Sequence, residues 1–146
     1  MEHFTPPTST ERLFNKLFGF LVGLGVGLSH NFLLEVRGRK TGRLYSTPVD
    51  VLVLGGRRYL VAPRGETSWV RNALAGGTVA LKKGRRREEL RVRALSADEK
   101  PAVLKAYLDR FKTVVQRYFP VPAGAPAAAF APLVDRYPAF ELLPPR

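Results

Sequence analysis

The chain has 146 residues, a formal net charge of +12 and no cysteine, which excludes disulfides, thiolate zinc sites and a cysteine nucleophile. Its length is that of a single domain, 1–146, able to bury a core without covalent staples. With only His3 and His30, neither a histidine-rich metal site nor a Ser-His-Asp triad is expected, and His30 is predicted to cap a helix end. The basic charge, concentrated between Arg37 and Arg93, favours a polyanionic partner: nucleic acid, anionic lipid or a small molecule.

The N-terminal part is predicted to be a disordered stretch, 1–8, followed by a helix over 9–29. This helix is expected to pack over one side of a sheet; the alternative is an amphipathic arm that touches a membrane or lines an apolar pocket. The run Leu17–Leu28 is shorter than the roughly 20 apolar residues of a membrane span. Glu2 and Glu11 disfavour a signal peptide. A cytoplasmic protein is therefore expected, with peripheral membrane contact through this helix as the alternative.

Strand patterns dominate the next part of the chain. The first two predicted strands are Phe32–Arg37 and Tyr45–Leu54, joined by the turn G-R-K-T-G. Pro48 in the second strand predicts a sheet edge or a bulge, because proline has no backbone N–H to donate to a neighbouring strand. The pair Gly55-Gly56 is typical of a two-residue hairpin turn and leads into a third strand, Arg58–Ala62.

A short helix, Trp69–Ala75, is predicted after the third strand, with Thr67 or Ser68 as its cap and Gly76-Gly77 at its end. The remaining predicted elements are a hairpin of two strands, a long helix and a last strand: Thr78–Lys83, Arg86–Leu95, 96–116 and Tyr137–Leu143.

The long helix begins with a capping box, Ser96-Ala-Asp-Glu99. Its predicted apolar stripe consists of Val103, Tyr107, Phe111 and Val114. The segment Phe119–Pro132 is rich in proline and alanine and is predicted as a loop around a pocket or over a barrel. Short antiparallel strands with interspersed helices predict an α+β, mainly β fold, a small closed or split barrel with peripheral helices. No dinucleotide-binding or P-loop motif is present.

Three segments have the composition of one anion site: G-R-K-T-G (Gly38–Gly42), V-A-P-R-G-E (Val61–Glu66) and T-S-W-V-R-N (Thr67–Asn72). Arginine forks bind phosphate or carboxylate, helix N-terminal amides attract anions, and glycines let a ligand approach the backbone. Together they predict a cleft for a long anionic ligand beside Trp69. Taken alone, the first segment is equally well interpreted as a solvated basic turn.

From about Phe32 to Ala94 the chain resembles the deazaflavin-dependent nitroreductase-like oxidoreductases, with a weaker similarity at Arg136–Leu143. The most specific element is G-R-K-T-G followed at the family's distance by W-x-x-N, here Trp69 to Asn72. The resemblance implies a split barrel related to flavin-binding proteins. It also implies coenzyme F420, a deazaflavin with a phosphodiester and a polyglutamate tail, as the cofactor, with FMN as the alternative.

By the same resemblance, Arg39 and Lys40 hold the phosphate, and Arg64 takes the place of the family's lysine. Trp69 and Asn72 line the cofactor groove. The full set of implied cofactor-binding residues is Arg39, Lys40, Thr41, Gly42, Arg43, Tyr45, Pro48, Ala62, Pro63, Arg64, Gly65, Trp69, Val70, Arg71 and Asn72.

The chain departs from the family pattern at several positions. Tyr45 replaces a second arginine, and Pro63 replaces a loop serine and can donate no hydrogen bond. Asp50 stands where activators of nitroimidazole drugs carry a tyrosine. The candidates for catalysis in the substrate pocket are Asp50, Tyr118 and Tyr137, for which ordinary packing of the tyrosines is the competing interpretation.

The leading hypothesis is an F420-dependent oxidoreductase that transfers hydride to a small organic acceptor, a quinone, an enone or a nitro compound. One alternative is a non-catalytic split-barrel protein that binds a fatty acyl or other lipid ligand, which the apolar run Leu17–Leu28 favours. Another alternative is an FMN-binding relative. Nucleic acid is not expected, because the basic run Lys82–Arg93 lacks interleaved aromatic residues. The protein is expected to be a monomer or a homodimer.

Overall fold

The computed structural model describes residues 30–145, so the predicted disordered stretch 1–8 and helix 9–29 lie outside the described residues. The elements in chain order are β1 (Asn31–Arg37), β2 (Leu44–Asp50), β3 (Leu52–Leu54), β4 (Arg57–Val61), α1 (Ser68–Gly76), β5 (Thr78–Lys83), β6 (Arg86–Ala94), α2 (Lys100–Val115), two 3-10 helices (Gln116–Tyr118 and Ala127–Arg136) and β7 (Ala139–Leu143). Within 30–145 no helix combines the length and the apolar character needed to cross a bilayer. A cytoplasmic location stays a prediction.

All the strands form one seven-stranded antiparallel sheet in the order β2-β1-β5-β6-β7-β4-β3. β2 and β3 are separated in the chain only by Val51, yet they occupy the two opposite edges of the sheet. The sheet therefore curls until its edges meet at this residue. The Val51 N–H donates a hydrogen bond of 2.9 Å to the His30 carbonyl at the start of β1, which holds the corner together.

The predicted single strand Tyr45–Leu54 is wrong, because the chain leaves the β1 ladder at Val51 and its continuation pairs with β4. Both halves have strand-forming residues, so the sequence pattern contains no sign of the change of partner. Pro48 lies in β2, which pairs with β1 alone, and the predicted edge position is confirmed. The hairpin turn at Gly55-Gly56 is also confirmed, with φ values of 58° and 75° that side-chain-bearing residues rarely adopt.

Helix α1 ends as predicted, where Gly77 adopts a φ of 75° and donates to the Ala73 carbonyl at 2.7 Å. Its beginning differs from the prediction. Thr67 occupies the N-cap position but makes no side-chain capping bond. Its Oγ1 is instead buried and has no hydrogen-bond partner among residues 30–145.

Helix α2 is preceded by the predicted capping box. The Ser96 N–H donates to Glu99 Oε1 at 2.9 Å, and the Glu99 N–H donates to Ser96 Oγ at 3.3 Å. The predicted apolar stripe is wrong at its last position, because Val114 is 59% exposed and Val115 is buried. Phe111 has non-helical backbone angles, and beyond this break the buried column continues at Val115.

The segment predicted as a loop, Phe119–Pro132, contains the beginning of a 3-10 helix that packs on α2. Phe130 and Leu133 are both buried and lie three residues apart, the spacing that places side chains on one face of a 3-10 helix. The apolar core thus has one part between α2 and this 3-10 helix and another inside the curled sheet, around Leu34 and Leu90.

Candidate active site

A cleft of about 550 Å³ opens between the β1–β2 turn, the beginning of β2 and the beginning of α1. It brings together seven of the residues predicted to bind the cofactor: Arg39, Lys40, Thr41, Tyr45, Arg64, Trp69 and Asn72. They come from three separate segments of the chain, which confirms that these segments meet in space. Their use by a cofactor stays a prediction.

The turn that carries the cations is closed by its own backbone. Gly38 donates to the Arg43 carbonyl at 2.6 Å, and Gly42 donates to the Gly38 carbonyl at 3.0 Å. Gly42 has a φ of 72°, which favours glycine, and a Cβ at Gly38 would lie 2.6 Å from the exposed Tyr45 ring and would displace it. A rigid turn of this kind holds Arg39 at the mouth of the cleft.

Asn72 connects helix α1 to this turn. Its side chain is only 5% exposed, and its Oδ1 accepts two hydrogen bonds from Arg39, one from the backbone N–H at 3.0 Å and one from Nη1 at 2.8 Å. The amide therefore orients the Arg39 guanidinium, whose remaining N–H groups are left for an anion. The W-x-x-N motif and the G-R-K-T-G motif are two parts of one structural unit.

A second, smaller chamber of about 230 Å³ continues from the cleft and shares Thr47, Arg64, Thr67 and Trp69 with it. The other predicted residues that line this chamber are Pro48, Asp50, Ala62, Pro63, Gly65 and Tyr118. Trp69 stands at the junction, with its ring 5.9 Å from that of Phe140 in the core. The two pockets adjoin at these shared residues, and we call them together the groove, with a cationic end and a smaller inner end.

Five predicted site residues do not line either part of the groove: Gly42, Arg43, Val70, Arg71 and Tyr137. Val70 is fully buried in the core, and Arg71 points to Glu66, with 3.3 Å between Nε and Oε1. Glycine 42 shapes the turn without facing the groove.

Tyr137 is a core residue, 2% exposed, and the structure does not bring it to the chamber. Its ring stacks on Phe119 at 4.4 Å, and its hydroxyl donates to the backbone carbonyl of Tyr118. Burial raises the pKa of the Tyr137 hydroxyl. The alternation of residues in the last strand region gave no sign of this, because an aromatic residue fits a core and a pocket wall equally well.

Thr47 and Thr67, which line both parts of the groove, are among the lining residues that were absent from the sequence-based set. Thr47 follows Tyr45 by two positions in β2 and therefore shares its face of the strand, a signal that the period-two pattern contains. Thr67 was expected to cap α1 and belonged to the segment Thr67–Asn72 predicted for the anion site, without a binding role of its own. Its buried, unpartnered hydroxyl is visible only in three dimensions.

At the inner end, Asp50 is held by residues from the start of β1. His30 Nδ1 lies 3.0 Å from Asp50 Oδ1, and the Asn31 side-chain amide donates to the same oxygen. Burial raises the pKa of the Asp50 carboxyl, an effect that the neighbouring His30 and the hydrogen bonds oppose. His30 thus contacts this carboxylate, and the helix end that it was predicted to cap lies outside the described residues.

A family model described as F420H(2)-dependent quinone reductase matches residues 12–118, well over half of the chain. The chain belongs to this family. The protein is accordingly an F420-dependent oxidoreductase, and coenzyme F420 is its cofactor. The resemblance read from the motifs was correct about the cofactor, whereas the matching family is named for quinones rather than for nitro compounds.

Solved structures similar to this F420-dependent oxidoreductase confirm the predicted split-barrel fold. A protein described as a domain-swapped dimer is 22% identical, with a TM-score of 0.56, over 91% of this chain and 92% of that chain. A structure of an F420-H2 dependent reductase is 19% identical, with a TM-score of 0.54, over 81% and 99% of the two chains. The heme storage protein HutZ from Vibrio cholerae is 12% identical, with a TM-score of 0.56, over 90% and 87%. Among curated proteins no sequence matches the chain.

Proposed function

We propose that the protein binds F420 along the groove, with the phosphate at the cationic end, and transfers hydride between the deazaflavin and a small organic acceptor in the chamber. The observation that carries this proposal is that the cationic cleft and the chamber adjoin and share Trp69 as a lining residue. When bound, the reduced cofactor supplies the hydride. The protein's own contribution is to orient both molecules and to exclude water.

The residues of the cleft fit the phosphate and the acidic tail. Arg39, Lys40 and Arg64 line one cavity and supply three cations. The Asn72 amide fixes the direction of the Arg39 guanidinium, so less side-chain entropy is lost when an anion binds. Arg37 and Arg43, which lie just outside the cleft, extend the positive potential toward solvent.

Thr67 supports the placement of the deazaflavin ring beside Trp69. Its buried hydroxyl lacks a partner among residues 30–145, and the threonine lines both parts of the groove. Pro63, in the loop where the related enzymes have a serine, cannot donate a hydrogen bond. We assign the donor role of that serine to Thr67, whose hydroxyl has to turn from its buried position into the groove to reach the cofactor.

The chamber suits a small acceptor, because its volume of about 230 Å³ lies below the usual range of drug-sized ligand pockets. Its walls combine apolar groups such as Val49 and Val115 with the polar Asp50 and Tyr118. This mixture fits a quinone best among the three predicted acceptor classes, with an enone or a nitro compound as the alternatives. A homodimer is the proposed assembly, supported by the domain-swapped dimer among the similar structures.

The test is a titration of the purified protein with F420, FMN and NADPH, followed by fluorescence. We expect F420 to bind with micromolar or lower Kd and the other two to bind far more weakly. Oxidation of reduced F420 is then measured with menadione, cyclohexenone and nitrobenzene as acceptors, and menadione is expected to be fastest. Binding of FMN in place of F420, or binding of F420 with no oxidation by any acceptor, would contradict the proposal; failure to bind any of the three cofactors would favour the non-catalytic lipid-binding alternative.

Replacing Thr67 by valine is expected to stabilise the cofactor-free protein and to weaken F420 binding. A buried hydroxyl without a partner costs about 1–3 kcal/mol, and valine has nearly the same shape without the polar group. Urea unfolding measures the first effect and the fluorescence titration measures the second. Thr67→Ser is the matched control because it keeps the hydroxyl. Lower stability in Thr67→Val would mean that the hydroxyl already has a partner.

A further inference from the structure

The carboxylate of Asp50 lies at the corner where the two edges of the sheet meet and lines the inner chamber. Its partner His30 immediately precedes β1. The Asp50 side chain is 14% exposed and the His30 side chain is 19% exposed. The His30 ring packs against Phe111 of α2, with 4.8 Å between ring centroids. The pair is thus held between the corner and the helix, and one member faces the chamber.

Both neighbours of Asp50 bind the same carboxylate oxygen. His30 Nδ1 and the Asn31 amide lie on Oδ1, so neither of these contacts uses Oδ2. A carboxylate that served only to fix the corner would gain most by committing both oxygens. Among residues 30–145, Oδ2 accepts no hydrogen bond and is left for a molecule in the chamber.

Asp50 is the one carboxylic acid among the described residues that line the chamber. The other titratable or charged groups around it are Arg64 from the loop after β4, Tyr107 from α2, and Arg117 and Tyr118 from the first 3-10 helix. Burial keeps the pKa of the Tyr107 hydroxyl well above its usual value, which makes it a weak acid. Arginine side chains do not release protons in proteins. Tyr118 and Asp50 are the remaining candidates, and Asp50 differs in having hydrogen-bond partners, His30 and Asn31, that stabilise the charged form left after the proton leaves.

We propose that Asp50 and His30 form a proton-donating pair for the acceptor that is reduced in the chamber. This inference rests on the proposed function. The acceptor gains a hydride, with its two electrons, from the reduced cofactor and becomes an anion. The O–H bond on Asp50 Oδ2 breaks as a new bond to the anionic acceptor forms. Asp50 is left as a carboxylate, hydrogen-bonded by His30 and Asn31, and solvent returns one proton to it after the product leaves.

Burial supports this role because it raises the pKa of Asp50, so the carboxyl keeps its proton to higher pH than an exposed aspartate does. His30 acts in the opposite direction and stabilises the carboxylate that remains after transfer. The protonated form is the active one, so turnover is expected to fall as the pH rises through the pKa of the pair.

The first readout needs no cofactor. Infrared difference spectra between the wild type and Asp50→Asn, recorded over a pH series, isolate the protonated carboxyl band of Asp50. We expect its titration midpoint to lie above that of an ordinary aspartate, about 3.9. In His30→Gln the midpoint is expected to rise further, because the charge that favours the carboxylate is gone. A midpoint at the ordinary value in both proteins would overturn the proposal.

The second readout is turnover of reduced F420 with menadione. We expect Asp50→Asn to lower kcat about a hundredfold with little change in KM and to abolish the fall at high pH. Asp50→Glu keeps an acid and is expected to recover part of kcat. Asparagine retains an oxygen for the bonds from His30 and Asn31, and thermal unfolding checks that each variant is folded. A wild-type kcat and pH profile in Asp50→Asn would overturn the proton role.

F420 affinity separates this inference from the function on which it rests. Neither Asp50 nor His30 lines the cationic cleft, so all three variants, Asp50→Asn, Asp50→Glu and His30→Gln, are expected to bind F420 within about twofold of the wild type. If the wild type itself failed to bind F420, the proposed function would be at fault. If all variants bound F420 and oxidised it as fast as the wild type does, the proton-donating role would be contradicted while the proposed function would stand.

Discussion

Replacing Arg39 and Lys40 together by alanine is expected to weaken F420 binding by at least about a hundredfold. Both side chains line the cleft, and Arg39 is held in place by Asn72. A hydrogen bond to a charged group contributes about 1.5–3 kcal/mol, so losing two costs about 3 kcal/mol or more. Each 1.4 kcal/mol corresponds to about a tenfold change in affinity. Fluorescence titration of the folded variant measures the change directly.

The matched control is the double variant Arg85→Ala/Arg86→Ala. These arginines are exposed at the β5–β6 hairpin and do not line the groove, but their removal lowers the net charge by the same amount. We expect the control to bind F420 almost as the wild type does, with a small loss that disappears at high salt. Equal losses in the two double variants would mean that the general field of the protein, rather than the turn, attracts the cofactor.

Replacing Asn72 by alanine is expected to lower both stability and affinity. The buried amide is the partner of the Arg39 backbone N–H and of its guanidinium. Removing it leaves the backbone donor without that partner, at a cost of about 1–3 kcal/mol in the free energy of unfolding. The guanidinium also loses its orientation, and we expect F420 affinity to fall about tenfold, a loss of about 1.4 kcal/mol. Urea unfolding and fluorescence titration measure the two effects separately.

Asn72→Asp distinguishes the two functions of this side chain. A carboxylate keeps an acceptor for both bonds from Arg39, so stability is expected to be retained or increased. It also cancels one positive charge in the cleft, so the affinity for F420 is expected to fall. Unchanged stability in Asn72→Ala would contradict the view that this residue anchors the turn.

Local signals predicted much of the fold. The glycine pair of the β3–β4 turn, the capping box before α2 and the segments of most strands depend on neighbours within a few residues, and the structure agrees with them. The division at Val51 could not be predicted in this way. It is a property of sheet closure, and residues on both sides of it have equal strand character.

The same difference between local and long-range contacts decided which groove residues could be predicted. Arg39, Lys40, Arg64 and Trp69 were found because each belongs to a compact motif, and the structure brings them to one cleft. The contact between His30 and Asp50 joins residues whose sequence neighbourhoods show nothing unusual. Thr67 was assigned a capping role because position in a helix is visible in sequence, whereas an unsatisfied buried hydroxyl is not.

The corner at Val51, where the edge strands β2 and β3 meet, also forms part of the wall of the chamber. Only one residue connects the two sheet edges, and the residue before it is Asp50. A connection of one residue cannot absorb a shift between the two strands, so a change in the curvature of the sheet displaces the Asp50 carboxylate together with β2. Strand pairing around the sheet therefore sets the position of the chamber wall that carries Asp50, opposite the wall formed by α2 and the first 3-10 helix, and distant substitutions that alter the curl of the sheet are able to change which acceptors enter.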